Sequence, residues 1–185
     1  IYSLRETKRL LTVNVYGLGA MTHPGDLALV LQKAVTETLH KHKINIAVPT
    51  DYENYIEQIR QNPEIWNHLI ETHTALSSVV ANSDQLVESL STGDLGIFHR
   101  VSDTLREAQL DIRLNNDNIK QWLTEIQDRL AELGTYNGLL IVWDEFTDVM
   151  TDAIGVPVLK QLQEVAQKFM NEDSNSYIFL ISHPS

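Results

Sequence analysis

The chain has 185 residues, 43% of them hydrophobic, and a formal net charge of −11 at pH 7. This length suffices for one well-buried core with an attached subdomain, and no apolar run approaches the ~20 residues that a membrane span needs. The lack of cysteine excludes disulfides and thiolate zinc sites and fits a reducing, cytoplasmic setting. The negative charge argues against a broad phosphate-binding face, so any nucleic-acid contact would have to be local or lie outside this acidic segment.

The first predicted elements are a strand over residues 10–16 and a helix that follows it. β-Branched residues are frequent in the strand, and Gly17 ends it. Thr22 or His23 is expected to cap the helix, with Asp26 near its positive end. The apolar residues of this helix recur at helical spacing and are Leu27, Val30, Leu31, Ala34, Val35 and Leu39.

A glycine-rich turn between these two elements offers a second interpretation. Gly17 and Gly19 follow a strand, as in a dinucleotide-binding fingerprint, and an apolar run over 44–48 with Asp51 beyond it imitates the second strand and its ribose-binding acid. The third glycine of the fingerprint is replaced by Thr22, and the fingerprint helix would have to contain a proline. A flexible strand-to-helix turn is the simpler interpretation.

The middle of the chain, residues 49–134, is predicted to be an all-α insertion, because its apolar residues recur at helical spacing. Asn62 and Pro63 restart a helix, and Gly93 is expected to end a later one. A further stripe of apolar residues spaced by three and four ends at Gly134 and is too short for a free coiled coil. The apolar positions of that last stripe are Ile119, Leu123, Ile126, Leu130 and Leu133.

The C-terminal part returns to alternating strands and helices. An uninterrupted apolar run over 138–143 predicts a strand covered on both faces, and it stops at Asp144 and Glu145. A helix is predicted to open at Pro157. Another apolar run over 177–181 predicts a strand that ends on Ser182-His183.

These elements predict an α/β fold, a parallel sheet with flanking helices formed by residues 1–48 and 135–185, plus the helical insertion. The carboxyl edge of such a sheet is where ligands bind. Adjacent carboxylates at Asp144 and Glu145 would repel each other there unless a cation or a reacting water needed them. The alternative is that both acids lie solvated in a turn.

The two ends of the chain resemble the core of P-loop ATPases of the AAA-like and STAND-like kind. The segment from Leu139 to Glu145 resembles their Walker B strand, in which a magnesium-linked Asp is followed by a catalytic Glu. The segment from Ile178 to Ser182 is similar to their sensor-1 strand. The long helical insertion looks like what large bacterial phage-defence ATPases carry.

The resemblance implies ATP and Mg²⁺ as cofactors. Asp144 would hold the hydrated metal against the phosphates, since Mg²⁺ is a hard cation that keeps several waters. Glu145 would orient the attacking water, and Ser182, or failing it His183, would donate a hydrogen bond to the γ-phosphate.

One required part of such an ATPase is missing from the sequence. No Gly-x-x-x-x-Gly-Lys-Ser/Thr occurs in the chain, so the phosphate-binding loop and its lysine are absent. We therefore expect a fragment whose partner is the rest of a parent chain carrying that loop, with a homo-oligomer as a further possibility and no membrane contact. The alternative is a nucleotide-independent protein-interaction module with an ATPase-like sheet.

The remaining polar residues predict little chemistry. His40, His42, His68 and His73 do not form a metal-binding spacing, and solvated or capping roles are expected. Loop acids after Asp144 could add a second cation site, although solvation is the more common role of such acids; they are Asp148 and Asp152.

Overall fold

Three parallel strands and eight helices make up the part of the chain that the structure describes. The computed structural model describes residues 8–16, 21–23, 25–110, 119–144, 146, 155–170 and 175–181. The strands are β1 (Leu10–Val15), β2 (Gly138–Trp143) and β3 (Tyr177–Leu180). The helices are α1 (Asp26–Lys41), α2 (Asp51–Gln61), α3 (Pro63–Thr72), α4 (Thr74–Ser77), α5 (Ser83–Ser91), α6 (Leu95–Glu107), α7 (Ile119–Glu132) and α8 (Gly155–Phe169). The predicted α/β class with a parallel sheet is confirmed. Among these helices, none is both long and apolar enough to cross a membrane.

The chain divides into two compact units. The sheet unit consists of Ile1–Val48 and Asn116–Ser185, and the helical unit is Pro49–Asn115. The sequence prediction ran the helical insertion to residue 134, whereas α7 lies in the sheet unit. The reason is that α7 turns its apolar stripe toward β2 and α8, an arrangement that helical spacing alone does not reveal.

The sheet has the strand order β1-β2-β3, with β2 in the centre. Leu10 pairs with Gly138 at one end of the first ladder, and Val142 pairs with Phe179 in the second. The side chains of β2 are fully buried except for that of Val142, which is half-buried. Two-sided burial of this apolar run was predicted, and it is confirmed for Leu139, Ile141 and Trp143 on one face and Leu140 on the other, all fully buried.

Strand β3 differs from β2 although its sequence is equally apolar. Each of its residues from Tyr177 to Phe179 is only half-buried, and Leu180 is 43% exposed. An edge strand with a neighbour on one side keeps more contact with water than a central strand. The apolar run predicted the strand but not its position at the edge.

One face of the sheet packs against helices α1, α7 and α8. Strands β1 and β2 contribute alternate side chains to this core, as the two-residue period of a strand requires. The helices close it with apolar stripes, for example through Leu31, Trp122 and Leu162. The six buried residues that β1 and β2 contribute are Leu11, Val13, Val15, Leu139, Ile141 and Trp143, and Ile178 of β3 packs against them half-buried.

The start of β2 approaches the segment before β3 very closely. A Cβ atom at Gly138 would lie 2.3 Å from the backbone oxygen of Asn175, so only glycine fits there. Next to it, the buried Ser176 hydroxyl accepts the Leu139 N–H at 3.0 Å and donates to Gln127 of α7 at 2.7 Å. This hydroxyl links β2 to α7 and gives the buried Leu139 N–H an acceptor.

The prediction that Thr22 or His23 caps α1 is wrong. Gly25 occupies the N-cap and supplies no side-chain bond, and the helix begins at Asp26. The Asp26 carboxylate instead accepts the backbone N–H groups of Thr22 at 2.8 Å and His23 at 2.9 Å. A carboxylate reaches backward in the chain here, so neither Thr22 nor His23 needs to cap the helix.

The dinucleotide-binding alternative is wrong in two respects. Its helix should begin near the second glycine, whereas α1 begins at Asp26. Its second strand should cover residues 44–48, and that segment forms no strand; Ile44 and Ile46 pack as irregular chain against the core of the sheet unit. The glycines at 17 and 19 themselves lie outside the described residues.

Capping residues fix the helix boundaries of the helical unit. Thr50 and Glu53 form a capping box at α2, in which the Thr50 N–H donates to the Glu53 carboxylate at 2.7 Å. Asn82 caps α5 and Asp94 caps α6. The sequence prediction that Gly93 ends a helix is confirmed, since the chain turns there with a φ of 70°.

The core of the helical unit is built around an aromatic group. The ring of Phe98 lies 5.0 Å from that of Tyr52 and 4.8 Å from that of Tyr55. The hydroxyl of Tyr55 is 3.0 Å from that of Ser102, which ties α2 to α6. Burial raises the pKa of Tyr55, the hydrogen bond with Ser102 lowers it, and the charge of Asp51 raises it further, with a net increase.

Replacing Gly138 tests the close approach at the start of β2. Gly138→Ala should lower the free energy of unfolding by about 1–3 kcal/mol, because the added methyl group meets backbone atoms that cannot rotate away. Gly25→Ala is the matched control, since a Cβ there has open space and the φ of −67° and ψ of −16° suit alanine, and it should leave stability unchanged or raise it by up to about 1 kcal/mol. Urea unfolding followed by circular dichroism measures both; equal effects would contradict the steric argument.

The raised pKa of Tyr55 predicts a loss of stability in alkali. The folded state holds the phenol proton more tightly than the unfolded chain, so its contribution is complete below the usual pKa near 10.0 and is lost as pH rises through the higher folded value. Tyr55→Phe should flatten the decline in unfolding free energy above about pH 10. Tyr136→Phe, a half-buried tyrosine of the sheet unit, is the control; an identical slope in wild type and Tyr55→Phe would disprove the assignment.

Candidate site at the carboxyl edge of the sheet

The carboxyl ends of all three strands lie at one edge of the sheet. The register pairs Val15 with Trp143 and Trp143 with Leu180, so the next residues along each strand, Tyr16, Asp144 and Ile181, follow at the same level. This is the expected consequence of parallel pairing. The edge therefore gathers the residues that follow each strand.

Asp144 lies half-buried at the end of the central strand. Its N–H donates to the Val15 carbonyl at 3.2 Å, which extends the β1–β2 ladder by one step. On the other side, the Ile181 N–H donates to the Trp143 carbonyl at 2.8 Å, and the Phe146 N–H donates to the Ile181 carbonyl at 3.0 Å. The backbone on both sides of Asp144 is thus held by hydrogen bonds to both neighbouring strands.

Three of the predicted site residues lie outside the described residues. They are Glu145, Ser182 and His183, and the loop acids Asp148 and Asp152 lie outside as well. The structure does describe their chain neighbours: Ile181 is bonded to both Trp143 and Phe146, and Asp144 is bonded to Val15. The predicted roles of the three residues stay predictions.

Two aromatic side chains pack together next to Asp144 in the chain. Trp143 is fully buried, and its ring lies 5.6 Å from that of Phe146 in an edge-to-face arrangement. Its indole N–H is buried without an acceptor among the described residues. This ring contact joins the last residue of β2 to Phe146, three residues further along the chain.

The sequence did not predict the structural role of a second carboxylate in the sheet unit, that of Asp26. Asp26 was assigned only a favourable position near the helix dipole, but it is 1% exposed and holds the loop that follows β1 through the N–H groups of Thr22 and His23. Tyr16, which precedes that loop, is 69% exposed. The only sequence signal for the buried role is an Asp a few residues after a turn, which is too common to be specific.

The histidines for which capping or solvated roles were expected behave accordingly where the structure describes them. His73 ends α3, and its Nδ1 is 3.1 Å from the Leu69 carbonyl. His42 is exposed and lies edge-on to the ring of Tyr136. His40 and His68 are exposed on their helices.

The fold and the edge define an α/β protein with a parallel sheet and a half-buried carboxylate at the carboxyl end of its central strand. Comparison with protein-family models, with curated proteins and with solved structures finds no match for this chain.

Proposed function

We propose that this chain contributes the magnesium-binding and water-orienting edge of a P-loop ATPase, whose nucleotide cycle drives a partner or nucleic-acid transaction. The observation that carries the proposal is the position of Asp144. It follows the buried central strand of a parallel sheet, at the edge where open α/β sheets bind ligands.

The donor chemistry of Asp144 suits Mg²⁺. A carboxylate supplies the hard oxygen that this cation prefers, and a single protein carboxylate is enough because the ion keeps several waters and takes the rest of its ligands from phosphates. Backbone bonds to Val15 and packing of Trp143 hold the strand end in place. A fixed ligand loses less conformational freedom when it binds.

The neighbouring residues would complete the chemistry. Glu145 would accept a hydrogen bond from the attacking water and orient it, and Ser182 or His183 would donate to the γ-phosphate. Phosphoryl transfer needs positioning and charge neutralisation more than covalent help, so acids and small donors that follow the strands of a hydrogen-bonded sheet fit the task. Mg²⁺ would supply the charge neutralisation.

The phosphate-binding loop has to come from elsewhere, because the sequence contains no Gly-x-x-x-x-Gly-Lys-Ser/Thr. The proposal therefore assigns the chain one side of the nucleotide site. The lack of that loop is also the observation that favours the second candidate, a nucleotide-independent interaction module built on the same sheet.

Manganese binding to the chain tests the metal site directly. Mn²⁺ can stand in for Mg²⁺ at oxygen ligands, and its unpaired electrons broaden nearby amide signals. Titration with Mn²⁺ should broaden the signals of Tyr16, Asp144 and Ile181 in NMR spectra, and Asp144→Asn should abolish this effect. Glu125→Gln, which removes an exposed acid of α7, is the matched control and should leave the broadening unchanged. Broadening that persists in Asp144→Asn would remove Asp144 from the site.

Hydrolysis is tested in a polypeptide that joins this chain to a phosphate-binding loop. Glu145→Gln should keep nucleotide affinity but lower the turnover of ATP by about a hundredfold or more, as expected when a group that handles the water proton is lost. Unchanged turnover would exclude the role of Glu145, while retained Mn²⁺ binding by Asp144 would still favour the metal site.

A further inference from the structure

Basic residues from two segments of the chain meet at the amino edge of the sheet, the end at which the strands begin. Lys8 and Arg9 lie directly before β1, whereas Lys41 and Lys43 lie at the end of α1. All four residues are exposed. This edge is opposite the one that carries Asp144.

The turn between α7 and β2 holds the two basic segments next to each other. Arg9 donates from Nη2 to the carbonyl oxygens of Gly134 and Thr135. The hydroxyl of Tyr136, one residue further along this turn, lies 3.4 Å from Nδ1 of His42. The segment before β1 and the end of α1 therefore lie on either side of one short turn.

No described acid balances the charge at this place. The described residues that surround the turn are 8–9, 40–47 and 133–137, and none of them is Asp or Glu. Glu132, which precedes the turn, is paired with Arg129 at 3.1 Å. A local basic surface therefore exists on a chain whose net charge is −11. It is here called the amino-edge cluster and consists of Lys8, Arg9, Lys41, His42 and Lys43.

Two of these cations occupy backbone conformations that favour glycine. The φ angle is 54° at Arg9 and 56° at Lys43, in the left-handed region where a residue with a Cβ atom is strained. The helix dipole accounts for a cation in the last turn of α1. It does not account for Arg9, nor for a lysine where glycine commonly follows a helix. Strain of this kind is concentrated at functional sites.

An aromatic ring lies among these cations. His42 is exposed, and its ring meets that of Tyr136 edge-on, with the centroids 6.2 Å apart. Arg9 keeps three of its five N–H donors, because both carbonyl bonds use Nη2. Cations together with an exposed ring suit a partner that carries both phosphates and unstacked bases. An acidic peptide would use the cations alone.

We propose that the amino-edge cluster binds a short stretch of single-stranded nucleic acid without sequence preference. Its lysines and Arg9 contact phosphates, and the ring of His42 supports a base. Contact is confined to a few nucleotides, because the acidic remainder of the chain repels a longer run of phosphates. The inference goes beyond the proposed ATPase role and holds whether or not Asp144 binds a metal.

Fluorescence anisotropy of a labelled strand of about twelve thymidines tests the proposal on the full chain. In about 50 mM salt the dissociation constant should be about 10⁻⁴ M or lower, as for other sequence-independent binding. Four phosphate contacts should give a slope of about −3 for the logarithm of the binding constant against that of the salt concentration. No binding at millimolar protein would overturn the proposal.

Matched pairs of substitutions separate the cluster from the charge of the whole chain. Lys41→Gln with Lys43→Gln should weaken binding by about tenfold or more and halve the salt slope, because two phosphate contacts are lost. Lys33→Gln with Lys160→Gln changes the net charge equally at two exposed lysines outside the cluster, and it should leave binding within about twofold. Equal losses in both pairs would contradict a local site.

Lys43→Gly separates binding from a purely structural role. Glycine relieves the strained φ, so the urea midpoint of unfolding should stay the same or rise. The loss of one phosphate contact should nevertheless weaken binding by about threefold or more. Unchanged binding would show that Lys43 serves only the end of α1 and would remove it from the cluster's proposed function.

Two further probes separate nucleic acid from other polyanions. An abasic strand of the same length should bind about threefold more weakly or worse, because stacking on the ring of His42 is lost. Equal binding of the abasic strand would overturn the preference for bases. Equal binding of a polyglutamate of the same charge would assign the amino-edge cluster to an acidic protein segment instead.

Discussion

Strand β2 needs a neighbour on each side, and the sheet unit is organised around that requirement. Its side chains are almost entirely removed from water, and both of its backbone edges are hydrogen-bonded, to β1 and to β3. Burial of apolar surface contributes about 25 cal/mol per Å², so exposing either face of this strand would be costly. Its two ladders set the register of the outer strands, and both extend to the level of Asp144.

The sequence predicts best those features that depend on neighbouring residues alone, such as strands and helix boundaries. The apolar run before Asp144 marks a strand because its length and its freedom from polar residues suit a central position. Pro63 and Gly93 mark helix boundaries because one lacks an N–H and the other tolerates a positive φ. The placement of Asp144 at a carboxyl edge follows from parallel pairing, and that part of the candidate site was predictable.

What the sequence does not predict depends on contacts between distant elements. The apolar runs of β2 and β3 look alike, yet one strand is central and the other lies at an edge. Helix α7 has the same amphipathic pattern as the helices of the helical unit, and only its packing on β2 places it in the sheet unit. The burial of Asp26 is tolerated because its carboxylate accepts hydrogen bonds from two backbone N–H groups. No residue spacing in the sequence predicts these bonds. The roles of Glu145, Ser182 and His183 rest on resemblance.

The pairing of β1 with β2 has a consequence for the order of folding. These strands lie on opposite sides of the helical unit in the chain, so their ladder joins residues far apart in sequence. Such contacts form slowly, because the chain loses the entropy of loop closure before the contacts contribute any stabilising free energy. The helices of the inserted unit depend on shorter-range contacts and can form first. During synthesis, β1 therefore emerges well before its ladder with β2 can form, because the ribosome releases β2 only after the helical unit.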